Sequence, residues 1–515
     1  MEMITNWPEI MAKKDARIAE LEVLVKFYEE QFRLSKHRQF GSSSEKIAHS
    51  DQLGLFDEAE NAADLQKPEP ELEDIAYTRR KRIGKRKDDL SILPVEIWEH
   101  KLPEEERSCS ECGQILHEMG HDTRRELVVI PAQVKVVEHR RAVYSCRNCE
   151  KYGENVPFVK AAMPDPLISG SLASPSAVAH IMTQKYVMHA PLYRQEQDWK
   201  RQGVSLSRQT MANWIIRCSD DWLLPIYERM KALLLMQDVL HADETTVQIL
   251  REPNKPAISN SYMWLYRTSA DTNRQIVIFE YQPSRSSSHP KQFLKDFNGF
   301  LHTDGYAAYH TLPEMTVVGC WVHMRRKFEE ALKAIPSSGR EASSANDALR
   351  HIGLLFHLED QWKNLAPEER QELRLQKSKP QAEAFFEWLQ TIRVLPKTAM
   401  GKAVNYALEQ RKWLMNVYLD GRTEFSNNRA ENAIRPFALG RKNWLFCNSV
   451  KGAASSSVVY SLIETAKAND LRPFEYLKFL FETVPSTSIG ELDTLLPWGD
   501  AALEKCRMPM EKENV

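Results

Sequence analysis

Apolar positions along this chain follow two different periods, and the period changes near residue 237. Ile18, Leu21, Val25, Tyr28 and Phe32 step by three and four with charges between them, the spacing of a single helix face. The pattern predicts a helix over 8–38, read either as a short coiled coil that helps form a dimer or as an amphipathic helix packed on its own domain. Helical spacing returns over 172–235. There Ser174-Pro175-Ser176 supplies a capping serine and a proline for the first turn, and Val178, Ile181 and Met182 follow at helical spacing. From 237 to 330 the pattern is that of strands, expected at 238–250, 261–268, 274–281, 299–304 and 315–321, with one helix at 290–297. Helices resume over 331–420, where Leu354, Leu355, Leu358 and Trp362 line one face and Phe385, Trp388, Leu389 and Ile392 another. Closing helices are expected over 455–482.

Three strands that can pair as a meander, then a helix and a parallel strand, is the order of a ribonuclease-H-like sheet. Two of these strands share a design. Val239-Leu240-His241-Ala242-Asp243 and Phe300-Leu301-His302-Thr303-Asp304 both lead through apolar residues to His-x-Asp, and no other internal repeat is found. Each Asp is expected at the carboxyl end of its strand, the edge at which open α/β sheets bind ligands. A third carboxylate, Glu431, lies in a helical-looking stretch where Asn427, Asn428, Glu431 and Arg435 fall on one face. Glu431 comes 127 residues after Asp304, against 61 between the two Asp (431 − 304 and 304 − 243). The helices of 331–420 account for that gap as an insertion. Taken singly, each carboxylate is an ordinary turn or helix residue. Brought together, three of them repel unless a cation neutralises them. An all-oxygen set suits Mg²⁺ or Mn²⁺, and a pair of such ions can stabilise the attacking and leaving oxygens of a phosphoryl displacement.

Bulk composition narrows the class. The chain has 515 residues, 42% hydrophobic and 27% charged, with 69 Lys and Arg against 71 Asp and Glu and a net charge of −2. Those values predict several soluble domains and give no global nucleic-acid signature. No run approaches the roughly 18 apolar residues of a membrane span, and no signal-peptide pattern is present, so a cytoplasmic protein without a membrane partner is expected. Charge is uneven locally. Residues 51–74 hold nine acids against one Lys, with Pro68 and Pro70, which predicts a disordered linker. Arg79, Arg80, Lys81, Arg82, Lys85, Arg86 and Lys87 then place seven cations in nine residues, either a solvated tail or an arm that binds phosphates.

Four of the eight cysteines form two C-x-x-C pairs, Cys109 with Cys112 and Cys146 with Cys149, the pairs 34 residues apart (146 − 112). Short strands are expected between them at Leu127–Ile130, Val134–Val137 and Ala142–Tyr144. Four thiolates satisfy a closed tetrahedral Zn²⁺ site, and a module this small needs such a staple. His117 and His121 read as surface residues. Further on, Arg208, Gln209 and Asn213 open a short helix after Ser205-Leu206-Ser207. They are placed to reach base edges if the stretch is a helix-turn-helix, and to connect a helical bundle if it is not. Around the acidic residues, His323, Arg326, Lys327, Asn428, Arg435, Arg441 and Lys442 are candidate phosphate contacts, interleaved with Trp444 as a nucleic-acid strand requires. Cys320 with His323 offers only two ligands, so no second zinc site is assigned.

Taken jointly, Arg38-Gln39-Phe40-Gly41 with Ser44-Glu45-Lys46, the double C-x-x-C, His241-Ala242-Asp243-Glu244-Thr245, Thr303-Asp304-Gly305-Tyr306, the stretch from Cys320 to Phe328 and Asn427-Asn428-x-x-Glu431 closely resemble the bacterial transposases of the insertion sequence 66 family. The resemblance extends to Leu496-Pro497-Trp498. It implies that Asp243, Asp304 and Glu431 correspond to that family's DDE triad, with no departure in the three residues. It also implies metal-dependent DNA cleavage and strand transfer at the element's inverted repeats, a homo-oligomer assembled on DNA, and small accessory proteins encoded by the same element.

The resulting expectation is a multidomain α/β protein. An N-terminal coiled-coil-like helix spans 1–48, an acidic linker and basic arm 49–95, and a zinc-binding β module 96–160. A helical, helix-turn-helix-like DNA-binding region spans 161–236. A ribonuclease-H-like catalytic core spans 237–450 with an all-helical insertion at 331–420, and helices with a tail close the chain at 451–515. Asp243 is expected to bridge two Mg²⁺ or Mn²⁺ ions, with Asp304 and Glu431 holding one each. Two other readings compete with a transposase: a DNA-binding regulator with an inert sheet, and a nuclease that hydrolyses without joining strands.

Overall fold

The computed structural model describes residues 133–145 and 158–509 apart from Pro313, together with Val25, Glu29, Ile97 and Gln114. The predicted N-terminal helix, acidic linker, basic arm and all four C-x-x-C cysteines lie outside the described residues or at single positions among them. The chain divides into two compact units, one holding residues 161–507 and the other 43–160. In the latter, β1 (Val143–Ser145) pairs antiparallel with β2 (Phe158–Lys160). The strand expected at Val134–Val137 is not formed. Those residues are exposed and have no pairing strand among the described residues, and without a partner a strand leaves its backbone groups unpaired.

The larger unit opens with helices α1 (Pro175–Tyr186), α2 (Leu192–Arg201), α3 (Arg208–Cys218) and α4 (Leu224–Leu235). Ser174 caps α1, its hydroxyl accepting from the Ala177 N–H, with Pro175 at the first turn as its sequence predicts. A sheet follows: β3 (Val239–Arg251), β4 (Asn260–Thr268), β5 (Val277–Gln282), then α5 (Ser288–Phe293), β6 (Phe300–Thr303), α6 (Ala307–His310) and β7 (Thr316–Gly319). Its order is β5-β4-β3-β6-β7. The β5-β4-β3 side is antiparallel and the β3-β6-β7 side parallel. The last expected strand stops at Gly319 rather than 321. Cys320 instead becomes the cap of the next helix, and Trp321 is buried within it.

Helices α7 (Trp321–Ala334), α8 (Ser344–Trp362), α9 (Pro367–Leu373), α10 (Lys379–Thr391) and α11 (Ala399–Met415) follow. They enclose a second core in which Trp321, Phe328, Phe385 and Phe386 meet. Arg374 is buried there and donates to Glu359 and to the Thr423 carbonyl, which satisfies a charge that would otherwise be costly to bury. The chain then returns to the sheet through α12 (Asn428–Trp444), β8 (Cys447–Ser449), α13 (Val450–Ala468), α14 (Pro473–Thr483) and α15 (Asp500–Cys506). The β8 strand pairs in parallel with the far end of β3, at Ile249 and Arg251. On the other side α13 covers the edge strand β5. Ser461 and Thr465 of the helix accept the Phe279 and Val277 N–H groups at 2.8 and 3.0 Å. An open sheet edge is thereby closed by side chains. No helix among the described residues is long and apolar enough to cross a membrane.

Candidate active site

Strand register builds the site. In the parallel pairing of β3 with β6, Leu240 stands opposite Leu301 and His241 opposite His302. Asp243 and Asp304 each follow two residues later and so stand level, but only Asp304 lies at the end of its strand as expected; Asp243 is inside β3, opposite Leu265, because β3 runs on to Arg251 in its pairing with β4. Side chains two apart on a strand point to the same face, which also sets each Asp above its own histidine. The Asp243 Oδ1 accepts the Glu244 N–H at 2.8 Å, and the Asp304 Oδ1 accepts the Tyr306 N–H at 2.9 Å.

Glu431 arrives from the first turn of α12. Its Oε2 accepts from Arg326 at 3.1 Å, and its Oε1 lies 3.7 Å from His323 Nδ1. Burial raises the Asp243 carboxyl well above its ordinary range, and the charges of Glu244, Asp304 and Glu431 raise it further. A carboxyl that senses both other acids in this way shares one electrostatic neighbourhood with them. Such a set is unfavourable when all three are ionised, and that is the condition a divalent cation relieves.

A fourth acid belongs to the same cluster and was not singled out in the sequence. The Glu244 side chain is only 2% exposed. Burial raises its carboxyl, as does the charge of Asp304. Its Oε1 accepts from Arg285 Nε at 2.8 Å, and its Oε2 accepts the Tyr309 hydroxyl at 2.7 Å. The Arg285 guanidinium lies 3.6 Å from the centre of the Tyr306 ring. Glu244 is thus tied down by side-chain donors, where Asp243 and Asp304 accept from nearby backbone N–H groups. Adjacency to Asp243 was the only signal available in the sequence.

Beneath the acids is a closed polar layer. The His241 and His302 rings stack with centroids 4.4 Å apart, and both residues are fully buried. Asn427 Nδ2 donates to the Ala242 carbonyl at 2.8 Å, so its Oδ1 is left to accept from His241 Nδ1 at 3.0 Å. The Asn427 N–H also donates to Cys320 Sγ at 3.2 Å. The Glu424 N–H donates to His302 Nε2 at 3.0 Å, and the Glu424 carboxylate lies 3.7 Å from His241 Nε2. Burial alone would raise Glu424, but His241, Arg429 and His302 together hold it well below the usual carboxylate range. Asn427, predicted to share the Glu431 face of a helix, instead precedes the helix and turns into the sheet. It ties the start of α12 to β3, and that fixes where Glu431 stands.

The candidate DNA contacts fall into separate groups. Arg208, Gln209 and Asn213 are exposed along the start and outer face of α3. The Arg208 backbone N–H is held by Glu196 of α2 at 3.0 Å, and Trp199, Met211 and Trp214 are buried beneath. His323, Arg326, Lys327, Asn428 and Arg435 are half-buried near Glu431, and Lys442 is exposed at the end of α12. Arg441 is turned back onto β3, where it donates to the Thr246 carbonyl and, at 2.6 Å, to the Thr246 hydroxyl.

The mixed sheet thus carries Asp243 within β3 and Asp304 just past β6, and a third acid comes from a helix that follows the inserted helices. The chain belongs to the IS66 transposase family. Residues 170–455 match the family model described as "Transposase IS66 family", and residues 461–498 match its C-terminal element. Residues 106–150, which contain the four C-x-x-C cysteines, match the "zinc-finger binding domain of transposase IS66". Residues 28–97 match a model described as "Transposase C of IS166 homeodomain".

Among curated proteins, the uncharacterized protein y4jD of Sinorhizobium fredii is 30% identical over 434 residues, covering 80% of this chain and 82% of the relative. Protein y4qI of the same organism is 30% identical over 485 residues, covering 89% and 86%. A solved Drosophila P element transposase strand transfer complex aligns with 57% of this chain and 93% of that one, at 10% identity and a TM-score of 0.32.

Proposed function

We propose that this transposase works through a ribonuclease-H-like core in which Asp243, Asp304 and Glu431 form the DDE triad. It would bind the terminal inverted repeats of its element, cut a strand there and join the freed 3′-hydroxyl to target DNA. The observation that carries this reading is the parallel β3–β6 register, which sets the two His-x-Asp strands level, with Asp243 half-buried and within reach of the charges of Asp304 and Glu431.

The donor set fits hard divalent cations, Mg²⁺ or Mn²⁺, since an acid cluster otherwise pays for its own repulsion. Bound there, a pair of such ions would activate a water or a 3′-hydroxyl and stabilise the departing oxygen. The chain supplies the rest. Asp243, whose carboxyl senses both other acids, would be the shared holder. Arg326 orients Glu431 and adds positive charge for a phosphate. His323, Lys327 and Arg435 are half-buried on the same two helices and would add to the phosphate contacts, while the histidine layer below would keep the carboxylates level. No Ser, Tyr or Cys nucleophile is required.

Sequence recognition is assigned to the zinc module, the basic arm 79–87 and the helices of 172–235, because base contacts specify and phosphate contacts position. One structural Zn²⁺ held by Cys109, Cys112, Cys146 and Cys149 is expected, and Cys109→Ser should lose it by elemental analysis. Assembly as a homo-oligomer on DNA, and action with accessory proteins of the same element, belong to the same reading.

Incubating the protein with a labelled element end, a target plasmid and Mg²⁺ tests it. Joined products support transposition. Cleavage without joining points to a nuclease, and binding without nicking to a regulator; either result overturns the proposal.

A further inference from the structure

Beside the oxygen-only pair Asp243 and Asp304 stands a corner of different chemistry. Cys320 precedes α7, His323 lies in its first turn, and Glu431 lies in the first turn of α12. One donor atom from each, the Cys320 sulfur, a His323 ring nitrogen and a Glu431 carboxylate oxygen, lies within 4.8 Å of the other two. Two of these donors lack other partners: His323 Nδ1 and Glu431 Oε1 are both buried without a hydrogen bond, although they face each other at 3.7 Å. Buried polar atoms are rarely left so. Cys320 is 3% exposed, while the His323 side chain is 27% exposed and gives the corner a way to solvent.

We infer that Cys320 Sγ, His323 Nδ1 and Glu431 Oε1 form a site for a borderline transition-metal ion of the Zn²⁺ or Co²⁺ type. Sulfur and imidazole donors favour such ions over Mg²⁺, and three protein ligands leave the open fourth position of a non-structural site. The Cys320 thiol gives up its proton to solvent when the ion binds. The N–H of Asn427 already points at the sulfur and supports the resulting thiolate.

An ion seated there holds Glu431 away from Asp243 and Asp304, so zinc at this corner opposes Mg²⁺-dependent cleavage. That consequence rests on the strand-cleavage reading; the binding itself does not.

Titrating Co²⁺ into the full chain, with its zinc module loaded, tests the site without DNA. The wild type should take up one ion with a thiolate charge-transfer absorption. Cys320→Ser should lose that absorption, and His323→Gln should weaken uptake about tenfold or more. A spectrum identical in wild type and Cys320→Ser, or no Co²⁺ uptake beyond the module, overturns the inference. His323→Gln alters a half-exposed side chain and decides the matter if Cys320→Ser fails to fold: unchanged affinity in that variant also overturns it. Asp243→Asn separates the two readings. It should keep the Co²⁺ signal while losing cleavage, and if it still cleaves, the triad reading falls while the Co²⁺ result stands on its own.

Discussion

Asp243 and Asp304 stand only two residues beyond His241 and His302 on the same pair of strands, yet the two levels are built on opposite terms. The histidine level is closed. Its rings stack, Asn427 and the Glu424 backbone bond to them, and the Glu424 carboxylate is held in its charged form. The aspartate level is open. Its carboxyls keep only local backbone donors, and burial together with the neighbouring acids makes ionising Asp243 costly. A buried layer tied to the sheet and to the start of α12 therefore holds up a more exposed, mutually repelling one. Under the proposed function, that repulsion lies where a cation and a phosphate would bind.

The largest effect is expected at the open level. Asp243→Asn, Asp304→Asn and Glu431→Gln should each abolish strand cleavage while DNA binding persists in a gel-shift assay; a variant that still cleaves near the wild-type rate removes that residue from the triad. At the closed level, Asn427→Ala leaves His241 and the Ala242 carbonyl without a partner. It should cost about 2–4 kcal/mol in denaturant unfolding, and an unchanged midpoint would show that the link between α12 and β3 bears no weight.

A smaller effect sharpens the contrast. Because its folded-state pKa is raised, Asp243 contributes stability below its ordinary value of 3.8 and loses it as pH rises through the raised pKa. Near neutral pH without metal, Asp243→Asn should therefore melt higher than wild type by about 1–3 °C, and Mg²⁺ should raise the wild type more than the variant. Glu424 has the opposite sign. Its pKa is depressed, so its contribution is present above 4.5 and fades as pH falls below that value. Glu424→Gln should be the less stable protein at pH 7, and the two melting temperatures should converge in acid. A gap that widened in acid would contradict the assignment.

Helix and strand periods, the two His-x-Asp strands and the double C-x-x-C were legible in the sequence, because each is a local pattern that neighbouring residues enforce on one another. The capped start of α1 and the strand order before Asp304 were legible for the same reason. The sequence by itself thus determined which residue types were available for metal chemistry and roughly where each element would begin. Only the tertiary structure decided that Glu244 joins the acids, that Asn427 turns inward to the sheet, that Arg441 is spent on Thr246, and that Cys320 and His323 meet Glu431. Those outcomes depend on contacts between segments about 100 or more residues apart for all but Glu244. Such contacts come from the direction in which packed elements cross, which no local period encodes.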